Sequence, residues 1–457
     1  MPSPNCHPPH SDDRRALALL ALALLAGFAA YANGLIGAFQ FDDHNVIVNS
    51  ERVHSLSAWW RATSHGGLRP LLNLTYTLNW LASGGAPLAF HLFNLLAHLI
   101  ATACVFALAR AFMRRYPQAG DADAIAAWTA LLFAVHPLHS EAITYISGRS
   151  TLLMTTFYLG ALVYYARAEE GQLRHRLAAL GLFVLAMLTK ESALLFPFAL
   201  LVWDWSTGTP WRLAPRRQWP FWALCLILAL ALLFHPGYWS LIQASVHTRD
   251  FAESLPTQLY SSTALLGKLF WPAGLDIDPD WPTLASLTDA LPQALLFAGG
   301  ALLAVWLRRR RPWLTLALLW LLIHLLLPNI FFPRADIANE RQMVWADWPV
   351  FLCIAVELRR YLRPAAGWAV VIACALLLGA ITHARNETYG SEIALWQDTA
   401  RHSPDKARVF NNLGYVLQSA GRLDEARQAY QHALALQPDY LKAGNNLDRL
   451  NGATSGN

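Results

Sequence analysis

Two adjacent carboxylates, Asp42 and Asp43, follow the first long apolar segment of the chain. A carboxylate can act as a general base, because an attacking alcohol must lose its proton as its oxygen forms the new bond. A second carboxylate beside it can orient the attacking molecule. The pair could equally be part of a solvated loop, so the residues around it must decide between the two interpretations.

Three cations, Arg149, Lys190 and Arg341, lie at the ends of later apolar segments. Arginine binds phosphate through two parallel hydrogen bonds, and lysine binds it as a point charge. Carboxylates and cations together suit the transfer of a sugar from a lipid phosphate to a hydroxyl group. No glycine-rich loop for a nucleotide phosphate is visible, which agrees with a donor carried on a lipid. Further polar residues at these segment ends are Arg69, His91, Asn94, His98, His136, His139, Glu141, Glu191 and Glu340.

Each of these polar residues also has a structural interpretation. Asn94 and His98 are four residues apart, on one face of a helix, and could make hydrogen bonds inside a helical bundle. His136 precedes a proline and could simply mark the end of a helix. The adjacent acid–base pairs could be local ion pairs. All of these residues nevertheless fall on one predicted side of the membrane, and that convergence favours a functional site.

The composition indicates which elements position these residues. The 457 residues are 55% hydrophobic and 14% charged, whereas soluble domains contain about 25% charged residues. This excludes a soluble globule and a disordered chain, and five cysteines do not make a disulfide scaffold in a chain of this length. We therefore predict an all-α polytopic membrane bundle. About eleven spans fit the required length, near 16–32, 87–109, 123–136, 151–166, 176–189, 191–203, 219–236, 290–307, 313–328, 344–358 and 365–382.

The orientation of the bundle follows from its basic residues. Predicted inner loops contain about twice as many Lys and Arg residues as the outer loops, which predicts a cytoplasmic N-terminus and an outer C-terminal tail. The segment 255–271 contains Lys268 and fits an interfacial or re-entrant helix. The net charge of +5 is then explained mostly by the basic residues that orient the helices in the membrane, so no nucleic-acid partner is expected. No residue spacing resembles a metal site, and no cofactor is predicted.

The composition becomes that of a soluble amphipathic module after His383. Residues 407–440 match the spacing of one tetratricopeptide repeat. Gly414 and Ala426 are small where two antiparallel helices must approach each other, and Gly421 permits the turn between them. The module could be a structural cap or a peptide-binding groove. The repeat pattern is completed by Phe410, Leu413, Tyr430, Ala433 and Pro438, with half repeats around Trp396 and over 441–450.

The order of these motifs resembles the transmembrane and tetratricopeptide repeat-containing family. That resemblance implies a membrane domain of the GT-C glycosyltransferase type. Animal members are protein O-mannosyltransferases that use dolichyl-phosphate mannose, and a bacterial member is expected to use a polyprenyl-phosphate sugar. The motifs that carry the resemblance are Phe39-x-Phe41-Asp42-Asp43, Arg69-Pro70-Leu71, the His91/Asn94/His98 helix, His136-Pro137-x-His139-x-Glu141, Gly148-Arg149, Lys190-Glu191, Glu340-Arg341 and the repeat.

The resemblance also implies roles for individual residues. Asp42 and Asp43 match the acidic pair that supplies the catalytic base, and Asp42 is slightly favoured. Arg149, Lys190 and Arg341 match basic positions and are the candidates for binding the donor phosphate. No metal is implied. The residues expected to shape the pocket are Arg69, His91, Asn94, His136, His139, Glu141, Glu191 and Glu340.

Together these features predict a glycosyltransferase with a 1–15 cytoplasmic tail, a 16–382 membrane domain and a 383–457 outer repeat domain. It would move a single sugar, with mannose favoured, from a polyprenyl phosphate to a hydroxyl acceptor, with protein Ser/Thr favoured, on the extracytoplasmic face. The acceptor could bind through the repeat domain, and a bacterial inner membrane is the expected location. The alternative is a non-enzymatic membrane scaffold that recruits partners through the repeat. A transporter is less favoured, because no two-fold internal similarity is visible.

Overall fold

The computed structural model describes residues 11–168, 172–239, 243, 251–328 and 336–455. In those ranges every regular element is a helix and none is a strand, which confirms the predicted all-α class. Residues 1–10 of the predicted N-terminal tail lie outside the described residues.

Sixteen helices, α1 to α16, form the membrane domain over the described residues, and short 3₁₀ or π turns such as His44–Val48 and Glu340–Gln342 lie between them. They are α1 (Ser11–Tyr31), α2 (Leu56–Ser64), α3 (Pro70–Ser83), α4 (Pro87–Met113), α5 (Ala122–Ala134), α6 (Ser140–Ile143), α7 (Arg149–Arg167), α8 (Leu173–Thr189), α9 (Phe196–Ser206), α10 (Ala214–Leu233), α11 (Phe251–Phe270), α12 (Leu291–Leu307), α13 (Pro312–Leu321), α14 (Met343–Ala346), α15 (Trp348–Tyr361) and α16 (Pro364–Thr388).

Four of the described helices are long and apolar enough to cross a membrane, namely Asp13–Ile36, Pro87–Met113, Ala214–Leu233 and Pro364–Thr388. Three shorter apolar helices, in α5, α12 and the α13 region, add to them. The predicted number of about eleven spans is therefore not confirmed. Several predicted segments do form helices, but these are short or, like α7, begin with polar residues.

The centre of the membrane domain is built around α4, α5 and α7, each of which contributes eight or nine residues to the largest buried apolar cluster. Trp128 of α5 is completely buried. Gly367 of α16 packs against its ring so closely that a Cβ atom would lie 2.2 Å from it. Large apolar side chains such as Leu376 remain exposed on the outside of the bundle, as expected where lipid replaces water.

The repeat domain contains four helices: α17 (Glu392–His402), α18 (Ala407–Ser419), α19 (Leu423–Leu436) and α20 (Leu441–Ser455). The central pair α18–α19 coincides with the predicted repeat, and the outer two are the predicted halves. A Cβ on Gly414 would lie 2.6 Å from the ring of Tyr430, so only glycine lets these helices approach. Gly421 has a φ of +76° in the turn, a conformation that glycine adopts without strain.

The repeat domain packs directly onto loops of the membrane domain. One buried cluster contains Trp396 and Val409 of the repeat domain together with Tyr145 and Ile277 of the membrane domain. A short repeat array buries too little surface to be stable alone, and this shared cluster supplies the missing contacts.

Candidate active site at the junction of the two domains

The acidic pair lies in an irregular segment between α1 and the π turn His44–Val48. Phe41 has a φ of +41°, a left-handed conformation that is unfavourable for a residue with a side chain. Its N–H group donates to Glu392 Oε1 at 2.6 Å, and its ring packs edge-on against Trp396 at 5.3 Å. The repeat domain therefore holds the backbone that positions Asp42 and Asp43.

Asp43 is fully buried, and hydrogen bonds engage both of its carboxylate oxygens. Oδ2 accepts from the Gln40 N–H group at 2.9 Å. Oδ1 accepts from the Ser147 N–H group at 2.8 Å and also contacts the Ser147 hydroxyl. Burial raises the pKa of Asp43 to about 7, although these hydrogen bonds oppose the rise. Asp43 thus connects the segment after α1 to the loop before α7.

Asp42 is half-buried and lines a small, partly open cavity of about 30 Å³. Its N–H group faces the Tyr145 hydroxyl oxygen at 3.2 Å. Burial raises the pKa of the Asp42 carboxyl, and the nearby Arg341 guanidinium opposes that rise. The cavity is lined by Phe41, Asp42, Tyr145, Ile277, Asp278, Asp336, Asn339, Arg341, Trp396, Arg408 and Asn412.

Glu141 holds Arg341 in this cavity. The Arg341 N–H group and guanidinium donate to the two Glu141 oxygens at 2.8 and 2.9 Å. Burial raises the pKa of Glu141 to about 7, with Arg341 acting in the opposite direction. Glu340 instead accepts from Lys268 Nζ at 2.9 Å and from the Asp276 N–H group at 2.7 Å. The adjacent Glu340 and Arg341 therefore bond to different, distant partners.

The other two predicted phosphate-binding cations lie outside the cavity lining. Arg149 is fully buried and donates to Asn94 Oδ1 at 2.7 Å, Thr75 Oγ1 at 3.2 Å and the Phe90 carbonyl at 2.9 Å. Lys190 is 6% exposed and donates from Nζ to Thr151 Oγ1 at 2.6 Å. Within the described part of the chain, no carboxylate forms a salt bridge with Arg149.

Glu191 pairs with Arg69, which is distant in sequence. The Arg69 guanidinium donates to the two Glu191 oxygens at 3.0 and 2.6 Å. Arg69 has a φ of +54° immediately before α3. This bidentate pair joins the start of α3 to the turn after α8, close in sequence to Lys190. It is separate from the Asp42 cavity.

The predicted histidines and Asn94 hold backbone and side-chain groups of neighbouring segments. This arrangement supports their interpretation as positioning residues rather than as groups that react. The bonds join His91 Nε2 to the Gly37 carbonyl at 3.1 Å, Asn94 Nδ2 to the Ile143 carbonyl at 3.1 Å, His98 Nε2 to the Ala134 carbonyl at 3.0 Å, His136 Nε2 to the Leu269 carbonyl at 3.0 Å and His139 Nε2 to Asp347 Oδ2 at 2.8 Å.

Sequence reasoning missed four ionisable residues of the cavity: Tyr145, Asp278, Asp336 and Arg408. Acidic residues alternate at 276, 278 and 280, and that pattern was a usable signal. Arg408 lies at the second position of the repeat, which the repeat pattern does not specify. Within the described ranges, no group of three or more His, Cys, Asp or Glu side chains could hold a metal ion.

Known proteins match both the repeat and the chain as a whole. The tetratricopeptide repeat family model matches residues 407–440, the residues predicted above. A protein O-mannosyl-transferase of Caenorhabditis elegans is 26% identical over 93% of this chain and 63% of its own length. Human protein O-mannosyl-transferase TMTC3 is 25% identical over 94% of this chain and 53% of its own length.

A shorter alignment is closer in sequence: Drosophila melanogaster protein O-mannosyl-transferase Tmtc2 is 31% identical over 47% of this chain and 24% of its own length. The crystal structure of ArnT from Cupriavidus metallidurans bound to undecaprenyl phosphate aligns with this chain at 17% identity and a TM-score of 0.43. The alignment covers 94% of this chain and 76% of the ArnT chain. The chain spans about half to two-thirds of the length of the Caenorhabditis elegans and human relatives. The predicted resemblance to the transmembrane and tetratricopeptide repeat-containing family is confirmed over nearly the whole chain.

Proposed function

We propose that this protein transfers a mannosyl residue from a polyprenyl-phosphate donor to a hydroxyl acceptor, with Asp42 as the general base. The observation that carries the proposal is the contrast within the acidic pair. Asp42 opens to a cavity beside a guanidinium group, whereas hydrogen bonds engage both oxygens of buried Asp43. The similarity to proteins named protein O-mannosyl-transferases supports the reaction class and the sugar.

The environment of Asp42 suits a base. Partial burial raises the pKa of its carboxyl and Arg341 opposes the rise, so the carboxylate accepts a proton more readily than a fully solvated aspartate does. Bases whose pKa lies close to the working pH are the most effective. Asp43 would have to break its bonds to Gln40 and Ser147 before it could do the same.

The proposed reaction is a single displacement at C1 of the sugar. The acceptor oxygen forms a bond to C1 while the bond between C1 and the phosphate oxygen breaks. The electron pair of that bond leaves with the polyprenyl phosphate, and the acceptor proton passes to Asp42. The leaving phosphate gains negative charge, which a positioned cation stabilises. Arg341 lines the same cavity as Asp42 and is the proposed cation for this step.

Arg149 and Lys190 complete the proposed set of cations for the donor phosphate. Arg149 is completely buried and donates hydrogen bonds to neutral oxygens of Asn94, Thr75 and Phe90. A buried cation is costly unless a negative charge compensates it. A phosphate anion bound beside Arg149 would supply such a charge, and Lys190 belongs to the proposed set because it matches a basic position of the family.

The outer side of the membrane is the proposed location of the reaction, on the basis of the basic residues in the opposite loops. Serine or threonine hydroxyl groups of a protein are the proposed acceptors, because the relatives are named as protein O-mannosyl-transferases. A passive scaffold would need no half-buried carboxylate facing a cavity.

The experiment uses the full chain in lipid nanodiscs with synthetic polyprenyl-phosphate mannose and a Ser/Thr-rich peptide, and follows the peptide mass. The wild type should add single hexose units. Asp42→Asn should slow transfer at least about 100-fold, the usual range for loss of a general base. Asp424→Asn is the control, because Asp424 lies on the repeat domain and its side chain is 91% exposed. Undiminished transfer by Asp42→Asn would remove Asp42 from the mechanism.

A further inference from the structure

The repeat domain forms part of the wall of the cavity that contains Asp42. Trp396 of α17 and both Arg408 and Asn412 of α18 line it together with the membrane-domain residues. Arg408 is the charged residue that the repeat domain contributes to this lining. The cavity is therefore shared between two parts of the chain that the sequence separates into different modules.

Two carboxylates of the membrane domain fix the position of Arg408. Its Nε donates to Asp278 Oδ2 at 2.7 Å, and one terminal nitrogen donates to Asp336 Oδ1 at 2.7 Å while also contacting Asp278. Lys406 donates to Asp278 Oδ1 at 2.6 Å. A guanidinium held in a fork by carboxylates is far more rigid than a free surface arginine. Arg408 thus presents its charge to the cavity from a fixed position.

We propose that Arg408 is a positioning residue of the active site, whose charge keeps the Asp42 carboxylate ready to accept the acceptor proton. This inference rests on the proposed function and deepens it. It gives the tetratricopeptide repeat a part in the reaction itself, beyond recruiting an acceptor or capping the fold.

The charges around Asp42 determine the sign of the expected effect. The carboxyl pKa is raised chiefly by burial and by Asp336, and it is lowered by Arg341, Tyr145 and Arg408. Removing the Arg408 charge should therefore raise the pKa of Asp42 further, because a nearby cation favours the ionised form. The titratable and charged groups around Asp42 are Asp43, Tyr145, Asp278, Asp336, Arg341 and Arg408.

The test is the pH dependence of kcat/KM for transfer to the peptide. A base must be ionised to work, so transfer falls as the pH drops below the pKa of Asp42. In Arg408→Met this acidic limb should move to higher pH by about half a unit, which lowers kcat/KM about threefold on its acid side. Arg408→Lys keeps the charge and should leave the limb close to that of the wild type.

Two further variants make this result specific. Arg427→Met is the matched control: the Arg427 and Arg408 side chains are 31% and 29% exposed, and Arg427 pairs with Asp424 within the repeat domain. It should leave the limb unchanged. Asp278→Asn removes a negative charge from the same cavity, so its limb should move to lower pH. An unchanged limb in Arg408→Met, or equal shifts in Arg408→Met and Arg427→Met, would overturn the proposal.

A measurement without catalysis separates failure of this inference from failure of the proposed function. Melting temperatures of Asp42→Asn, Arg408→Met and the double variant form a cycle that measures their coupling. We expect coupling between Asp42 and Arg408 and none between Asp42 and Arg427. Coupling with an inactive wild type would mean that the proposed function is wrong and that the electrostatic interaction between Asp42 and Arg408 is real. Absence of coupling would refute the role of Arg408 whatever the activity.

Discussion

The Asp42 cavity and the cluster around Arg149 are built on opposite principles. In the cavity, carboxylates and guanidinium groups from distant segments face one another, and both Asp42 and Arg408 keep some exposure. Around Arg149, a completely buried guanidinium bonds to an amide, a hydroxyl and a carbonyl and packs against aromatic rings, 4.4 Å from that of Phe93. The first arrangement can exchange a proton with a substrate. The second holds three helices together and leaves a positive charge uncompensated.

The largest expected effect on stability comes from the Arg149 cluster. Arg149→Met leaves three acceptors on α3 and α4 without their donor, and each buried orphan costs about 1–3 kcal/mol. Relief from burying a charge offsets part of this, so we expect a loss of about 3 kcal/mol in the free energy of unfolding. The melting temperature in nanodiscs measures it. Arg174→Met, at an exposed position on α8, should leave the melting temperature unchanged.

An Arg149→Met variant that lost little stability would contradict this description of the cluster. It would mean that the hydrogen bonds to Asn94, Thr75 and Phe90 do not fix Arg149, which would leave only its proposed role at the donor phosphate. Arg149→Lys separates the two roles, because lysine keeps the charge but cannot reproduce the forked hydrogen bonds.

A smaller effect is expected from Glu141, which orients Arg341 in the cavity. Glu141→Gln keeps the shape but weakens the two bonds to Arg341. The loss of a charge-assisted pair should cost about 1–2 kcal/mol of stability, and the less well oriented Arg341 should slow transfer about tenfold. The melting temperature measures the loss of stability, and kcat and KM for the donor measure the effect on transfer. Transfer at the wild-type rate would show that Arg341 needs no such partner.

The repeat was predictable to the residue because its spacing is local: Gly414, Gly421 and Ala426 reflect contacts within one helical hairpin. The acidic pair was also predictable as a candidate. The sequence did not predict that Asp43 is buried whereas Asp42 is half-buried. This difference depends on contacts with Ser147 and Tyr145, about one hundred positions away. The predicted number of spans is not confirmed, because a hydropathy pattern does not distinguish a membrane-crossing helix from a short helix buried inside the bundle.

The contact of Arg408 with the carboxylates of Asp278 and Asp336 could not be predicted from the sequence either. They lie 130 and 72 positions apart along the chain, and nothing in their local sequence marks them as neighbours. The repeat pattern identifies the residues that pack its own hairpin, whereas Arg408 faces away from that hairpin toward the membrane domain. Only the packing of the repeat on the loops of the membrane domain reveals this contact.

The most direct test of the central claim compares Asp42→Asn with Asp43→Asn in the same nanodisc assay. The account predicts that Asp42→Asn keeps the wild-type melting temperature within a few degrees and loses transfer by at least about 100-fold. It predicts that Asp43→Asn chiefly lowers the melting temperature, because one of its oxygens is replaced by a group that cannot accept from its N–H partner. Full transfer by Asp42→Asn, with loss of transfer confined to a stably folded Asp43→Asn, would contradict it.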